Sequence, residues 1–268
     1  LFFNEREDVA VVYGSVMAAP ADPRTGRLTG PALRVVHGVS GIPGNRRANF
    51  DVADSGLILW RHASAAQPIW RLSWLDRSGN LIGSVGERGY IMSQALSPDE
   101  EWIVAYEGSP FPRNWLYTTR SGVRQPLVTA TSTGRESPAI WSHDSRALYF
   151  AAAELIVRQS GLPGEAPDPV TPPLGRMLIP QDVTSDGREL IATSWTGNEV
   201  FRIDLKAPLQ KRTPERIASG QRARLSPDGK SLLLNDRNRL FSASYPSSRG
   251  ADSIRELPGV RSSYPIFS

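Results

Sequence analysis

The chain has 268 residues, 40% hydrophobic and 22% charged, which suits one large folded domain or two small ones and is too apolar for a disordered chain. No apolar run approaches the roughly 18 residues of a membrane helix, and the absence of cysteine excludes disulfide staples, thiolate metal sites and cysteine nucleophiles. The net charge of +4 is modest, and its arginines are spread along the chain, unlike the concentrated basic face of a nucleic-acid binder.

The chain opens on Leu1 with no charged-then-apolar leader, so the expectation is a segment of a longer protein. The first strand-like runs are Leu1 to Glu5, Val11 to Ala19 and Leu33 to Gly38. A phrase then begins to recur. It reads Phe50-Asp51-Val52-Ala53-Asp54, Ala95-Leu96-Ser97-Pro98-Asp99, Ile140-Trp141-Ser142-His143-Asp144, Asp182-Val183-Thr184-Ser185-Asp186 and Arg224-Leu225-Ser226-Pro227-Asp228. The final aspartates stand 45, 45, 42 and 42 residues apart. Each is followed by an apolar run: Leu57 to Trp60, Trp102 to Tyr106, Ala147 to Phe150, Leu190 to Ala192 and Leu232 to Leu234.

The phrase encodes a strand, a tight turn and a second strand. Pro sets φ at the first corner, Asp bonds nearby N–H groups, and Gly takes the left-handed corner. Asp54, Asp99, Asp144, Asp186 and Asp228 are therefore read as structural turn residues, spread around a ring rather than clustered. Each unit continues with two more strand-like runs, such as Asn114 to Thr119 and Gln125 to Thr129, or Glu199 to Leu205 and Arg212 to Ala218. Four strands per 42–45 residues is the spacing of a β-propeller blade. No 3.6-residue period is sustained, so helix is expected to be nearly absent.

The expected fold class is all-β: a single propeller over residues 1–268, with four-stranded blades at about 48–90, 91–134, 135–177, 178–218 and 219–260. A sixth blade is expected to be split between residues 1–40 and 262–268, with Tyr264 to Phe267 pairing Leu1 to Asn4. Closure by both termini removes the exposed edge of an open array.

The Ser-Pro-Asp-Gly phrase resembles the repeat of TolB-type, WD-like β-propellers over nearly the whole chain. Trp74-Leu75-Asp76-Arg77-Ser78-Gly79-Asn80, followed by Leu96-Ser97-Pro98-Asp99, is similar to the propeller region found C-terminal to bacterial membrane-anchored serine/threonine kinases. Leu28-Thr29-Gly30-Pro31, Val36-His37-Gly38-Val39 and Phe50 to Gly56 stand in that family's order. Glu100 and Ser145 depart from it where the turn glycine belongs, and His143 stands in place of Pro. The resemblance implies a non-catalytic sensing or protein-interaction module in an extracytoplasmic location, with any kinase domain outside this segment. Its alternatives are a lactonase-like hydrolase with a site in the central channel and the propeller of a prolyl-peptidase-like enzyme.

No phosphate loop, His-Arg-Asp loop, Asp-Phe-Gly, Gly-x-Ser-x-Gly or His-Glu-x-x-His motif occurs. His37, His62 and His143 fall on different blades and are read as structural. Asp51 and Asp182, with the amides Asn49, Gln94 and Gln181, are the thin set from which a channel metal site would be built. The expectation is no catalytic residue, no metal and no cofactor. Most of the seven tryptophans, 60, 70, 74, 102, 115, 141 and 195, are expected in the core. Asp182 and Arg224, at one position on successive units, are expected to pair near the channel. Every connection between blades carries arginine: Arg46 and Arg47, Arg88, Arg135, Arg176, Arg222 and Arg261. These seven are the candidate binding residues, ringing the mouth to attract a protein, peptide or small anionic ligand, with no nucleic acid and no membrane insertion in this segment.

Overall fold

A computed structural model describes residues 2–8, 11–20, 22, 28–42, 47–48, 50–52, 57–61, 69–108, 112–127, 136–160, 165–195, 198–236, 239–245 and 254–261, with the backbone alone at 2–8, 11–13, 40–42, 47–48, 61 and 258–261. Among these the strands form six four-stranded antiparallel sheets, each a simple meander. The first holds β1 (Phe2–Asp8), β2 (Val11–Ala18), β3 (Leu33–Ile42) and β4 (Arg47–Ala48); the second β5 (Phe50–Val52), β6 (Ile58–Arg61), β7 (Trp70–Leu75) and β8 (Leu81–Gly89). The third holds β9 (Ile91–Leu96), β10 (Trp102–Glu107), β11 (Arg113–Thr118) and β12 (Arg124–Pro126). The fourth holds β13 (Ile140–Trp141), β14 (Ala147–Ala152), β15 (Leu155–Ser160) and β16 (Asp168–Pro169). The fifth holds β17 (Leu178–Val183), β18 (Glu189–Ser194), β19 (Glu199–Asp204) and β20 (Glu215–Ser219); the sixth β21 (Arg222–Leu225), β22 (Ser231–Asp236), β23 (Arg239–Ser244) and β24 (Arg255–Arg261). The one helical element among the described residues is a 3₁₀ turn at Leu209–Lys211, and no helix there is long and apolar enough to cross a membrane.

The core lies between sheets. Leu59, Leu72 and Val85 of the second sheet pack on Ile91, Ile103 and Tyr117 of the third. Val104 and Leu116 pack on Leu148 and Phe150 of the fourth, and Tyr149 and Ile156 on Leu190 and Phe201 of the fifth. Ile191 and Val200 then meet Leu232 and Leu234 of the sixth, while Val16 and Val36 of the first meet Ile58 and Trp60 of the second. A strand covered on both faces reads as a continuous apolar run, and all six residues of β14 are buried. This stacking of four-stranded antiparallel sheets about an axis is a β-propeller. Trp60, Trp70 and Trp141 are buried in it as expected, but Trp195, just past the end of β18, is 56% exposed.

The N-terminal sheet contains the three expected strands and a fourth, β4, so it reaches four strands without the C-terminal segment that was expected to complete it. Gly38 was expected to end the third strand. Instead it takes a φ of 73° and absorbs a register shift, so that β3 continues to Ile42 and pairs with β4. β24 lies beside β1. Tyr264 to Phe267 lie outside the described residues.

The turn between first and second strands is built the same way in four sheets. Ser97, Ser142, Thr184 and Ser226 donate their hydroxyls to Asp99, Asp144, Asp186 and Asp228 at 2.5–2.7 Å. The same hydroxyls accept the N–H groups of Trp102, Ala147, Glu189 and Ser231 at 2.9–3.0 Å. The aspartates also accept N–H bonds from Glu101, Arg146, Arg188 and Lys230. The fourth turn residue is left-handed in every case: Glu100 (φ 62°), Ser145 (60°), Gly187 (66°) and Gly229 (66°). Asp54 lies outside the described residues. The Trp74 to Asn80 phrase is also a turn: Asp76 accepts N–H bonds from Ser78 and Asn80, and a Cβ on Gly79 would stand 2.6 Å from the Val35 carbonyl oxygen of the neighbouring sheet.

A left-handed φ strains any residue with a Cβ. Glu100→Gly should therefore stabilise the protein by about 0.5–1 kcal/mol in urea unfolding. Ser145→Gly should gain less or lose, because the Ser145 hydroxyl also accepts the Asp99 N–H at 2.9 Å from the neighbouring sheet. The hydroxyl bonds, ahead of the backbone N–H groups, hold the Asp144, Asp186 and Asp228 carboxyls below their ordinary value of 3.8. Ionised turn aspartates thus contribute stability that is complete above pH 4 and lost as the pH falls through their lowered values. The stability gap between the protein and an Asp186→Asn/Asp228→Asn double variant should be widest above pH 4 and shrink below pH 3.8, measured by denaturant titration at each pH.

Candidate functional site

The first strands of five sheets surround an axial channel. Its throat, about 40 Å³, is bordered by Gln94, Gln181, Arg222 and Arg224 together with Asp51 and Ile140. It widens at the end where the first-to-second-strand turns lie, into an open cavity of about 310 Å³ lined by Asp51, Leu96, Trp141, His143, Asp182, Arg224 and Leu225, among others. Asp51, Ala95, Ile140 and Arg224 border both spaces.

One register position supplies most of this chemistry. Two residues before the turn hydroxyl, or its equivalent Ala53, stand Asp51, Ala95, Ile140, Asp182 and Arg224. The two aspartates are used alike. Asp51 accepts the N–H of Val52 at 3.0 Å and that of Leu96, on the next sheet, at 2.7 Å. Asp182 accepts the N–H of Val183 and that of Leu225, on the next sheet, both at 2.9 Å. Each carboxylate thus satisfies a backbone donor on the unpaired inner edge of its neighbour. A bulge in β17 between Pro180 and Asp182 leaves Gln181 outside the ladder, and Gln181 borders the throat. Burial pushes the Asp51 carboxyl above 3.8, against the opposing pull of the Arg224 charge and of the Leu96 and Val52 N–H groups.

The expected Asp182–Arg224 pair is not formed. Both side chains border the turn-end cavity, but Asp182 is tied to backbone N–H groups and its nearest charged-type neighbour is His143, with Nε2 3.9 Å from Oδ1. Arg224 acts electrostatically on Asp51 instead. His143, read from sequence as a structural turn residue, reaches the cavity from the turn before β14. His37 is exposed and 3.2 Å from the Ser15 hydroxyl; His62 and Asn49 lie outside the described residues. Gln94 borders the throat with its buried Oε1 unpartnered among the described residues. No three His, Asp or Glu among those residues are grouped to hold a metal ion.

Of the seven connection arginines, Arg46 and Arg135 lie outside the described residues, and Arg47 and Arg261 are described by backbone alone, in β4 and β24. Arg222 borders the throat, Arg88 is exposed on β8, and Arg176 bonds Glu199 at 3.3 Å and lies over the Phe201 ring. The arginine at the turn-end cavity, Arg224, was not among the seven. Its signal in the sequence was the register position that it shares with Asp51 and Asp182.

Sheets, stacking and axial channel together define the class as a β-propeller with four-stranded blades. No protein-family model matches the chain, and no curated protein matches it in sequence. Solved structures are similar in fold. TolB from Acinetobacter baumannii matches with a TM-score of 0.61 at 14% identity, over 91% of this chain and 61% of that one. The periplasmic gluconolactonase of Pseudomonas aeruginosa matches at 0.58 and 15% identity, over 96% and 80%. A chain of a nidogen/laminin complex matches at 0.59 and 11% identity, over 96% and 95%. The chain thus spans about three fifths of the TolB chain, and at these identities the likeness is one of fold.

Asp182→Ala should cost about 3 kcal/mol, since it strands the N–H groups of Val183 and Leu225, both buried residues. Asp182→Asn keeps one acceptor and should cost about half as much. Denaturant unfolding of both variants at pH 7 measures the difference.

Proposed function

We propose that this propeller is a non-catalytic binding module whose turn-end channel mouth takes a carboxylate or similar anionic group of a protein, peptide or small ligand through Arg224. The observation that carries this reading is the state of Arg224. It is partly buried and borders both throat and cavity; its charge acts on the buried Asp51, yet its guanidinium makes no direct hydrogen bond or contact ion pair among the described residues. A guanidinium held this way offers a planar fork of donors, the geometry that carboxylates and phosphates match. Mixed apolar and polar side chains converge on this mouth, as they do in ligand sites. The hydrolase alternative, built on Asp51 and Asp182, has less support, because no three His, Asp or Glu among the described residues are grouped to hold its metal ion.

The resemblance of Trp74 to Asn80 supports the narrower reading that the module is the extracytoplasmic region of a bacterial receptor-type serine/threonine kinase. The same proposal includes closure of a six-bladed ring, with residues 262–268 adding a strand at the β1 edge of the four-stranded first sheet. Its support is the approach of β1 to β24.

Titration with acidic peptides by calorimetry tests the binding reading. Arg224→Ala should weaken binding at least about tenfold, and raising the salt should weaken it further. An Arg88→Ala/Arg135→Ala double variant should bind as the parent does. Loss in the double variant with no change in Arg224→Ala would move the site to the connection end of the channel, and no binding at low salt would overturn the reading. For closure, deletion of residues 262–268 should lower Tm by several degrees, and an unchanged Tm would refute a six-bladed ring closed by both termini.

A further inference from the structure

Arg224 and Asp182 are opposite charges on neighbouring strands, β21 and β17, that border one cavity and do not meet. The Asp182 carboxylate is pinned by two backbone N–H groups at 2.9 Å and cannot swing toward the guanidinium without losing them. One of those donors, Leu225, is the residue next to Arg224, so the two charges are adjacent and held apart. A ligand of one sign answers half of this site. A dianion on Arg224 would face Asp51 and Asp182, and a dication would face Arg224.

His143 sharpens the anionic half. Its Nε2 lies 3.9 Å from Asp182 Oδ1, too far for a direct hydrogen bond. With its proton on Nδ1, the imidazole presents Nε2 as an acceptor. One ammonium group can donate to both atoms across that gap, with each bond about 2.9 Å. The His143 side chain is 44% exposed and the Asp182 side chain 13%, so the pair is open to an arriving group. Between these charges the walls include the apolar side chains of Val52, Leu96, Trp141 and Leu225. The volume of about 310 Å³ sits at the small end of ligand sites.

We propose that the turn-end mouth binds a short apolar peptide with free termini, of about dipeptide size, its carboxylate on Arg224 and its ammonium between Asp182 and His143. This rests on the reading that Arg224 takes a carboxylate, and adds the second pole and the size.

Calorimetry with leucyl-valine, N-acetyl-leucyl-valine and leucyl-valine amide tests it on the full chain. The free dipeptide should bind, and each blocked form should bind about ten- to a hundredfold more weakly. His143→Ala should weaken the free dipeptide but leave the acetylated form unchanged, a comparison that does not depend on a variant lacking the Asp182 backbone ties. If the acetylated form binds as tightly as the free one, the ammonium site is wrong while the carboxylate reading stands. If the amide binds as tightly, the role of Arg224 itself is wrong. Free leucine binding more tightly than the dipeptide would overturn the assignment to a peptide, and no binding of the free dipeptide at millimolar concentration would overturn the proposal.

Discussion

A four-stranded sheet stood on its inner edge leaves one strand with N–H groups that no neighbouring strand pairs. Around the axis of this propeller that edge is partly buried, so its donors need partners. Asp51 and Asp182 supply them across the gap between sheets, to Leu96 and Leu225. The solution has a consequence for function, because it places carboxylates at the channel and fixes them there. Where the same register position carries Arg224, no such bond can form, and the side chain is left facing the cavity.

The layered core makes this arrangement rigid. Five of the apolar layers belong to two sheets at once, as in the contact of Tyr149 and Ile156 with Leu190 and Phe201. Adjacent first strands are therefore set relative to one another by packing well away from the channel. The hydroxyl–aspartate turns then fix where the first strands of four sheets end, and with them much of the rim of the mouth. Even the departures from the turn pattern contribute: Ser145 carries left-handed strain and in return holds the Asp99 N–H of the next sheet.

The repeat made the propeller legible, because a period of 42–45 residues fixes strand order and turn position before any contact is known. It also marked the aspartates of the turn as structural, which their bonds to Ser142, Thr184 and Ser226 explain. What a period does not fix is who meets whom around a ring. Asp182 and Arg224 share a register position, and that was enough to place both at the channel. It was not enough to show that Asp182 would turn to the Leu225 N–H. Gly38 misled for a local reason, since a glycine that permits a bulge and one that ends a strand read alike. His143 was hidden in a turn that elsewhere holds Pro98 and Pro227, with nothing in its spacing to show that the turn overhangs the mouth.

In the proposed function the ligand sits at the turn end of the channel, and Arg224 receives its carboxylate. A crystal structure of the protein with a bound short peptide tests this most directly. The account predicts electron density in the cavity between Trp141 and Leu225, with the peptide carboxylate bonded to the Arg224 guanidinium. Density at the connection end beside Arg88, with Arg224 untouched, would contradict it.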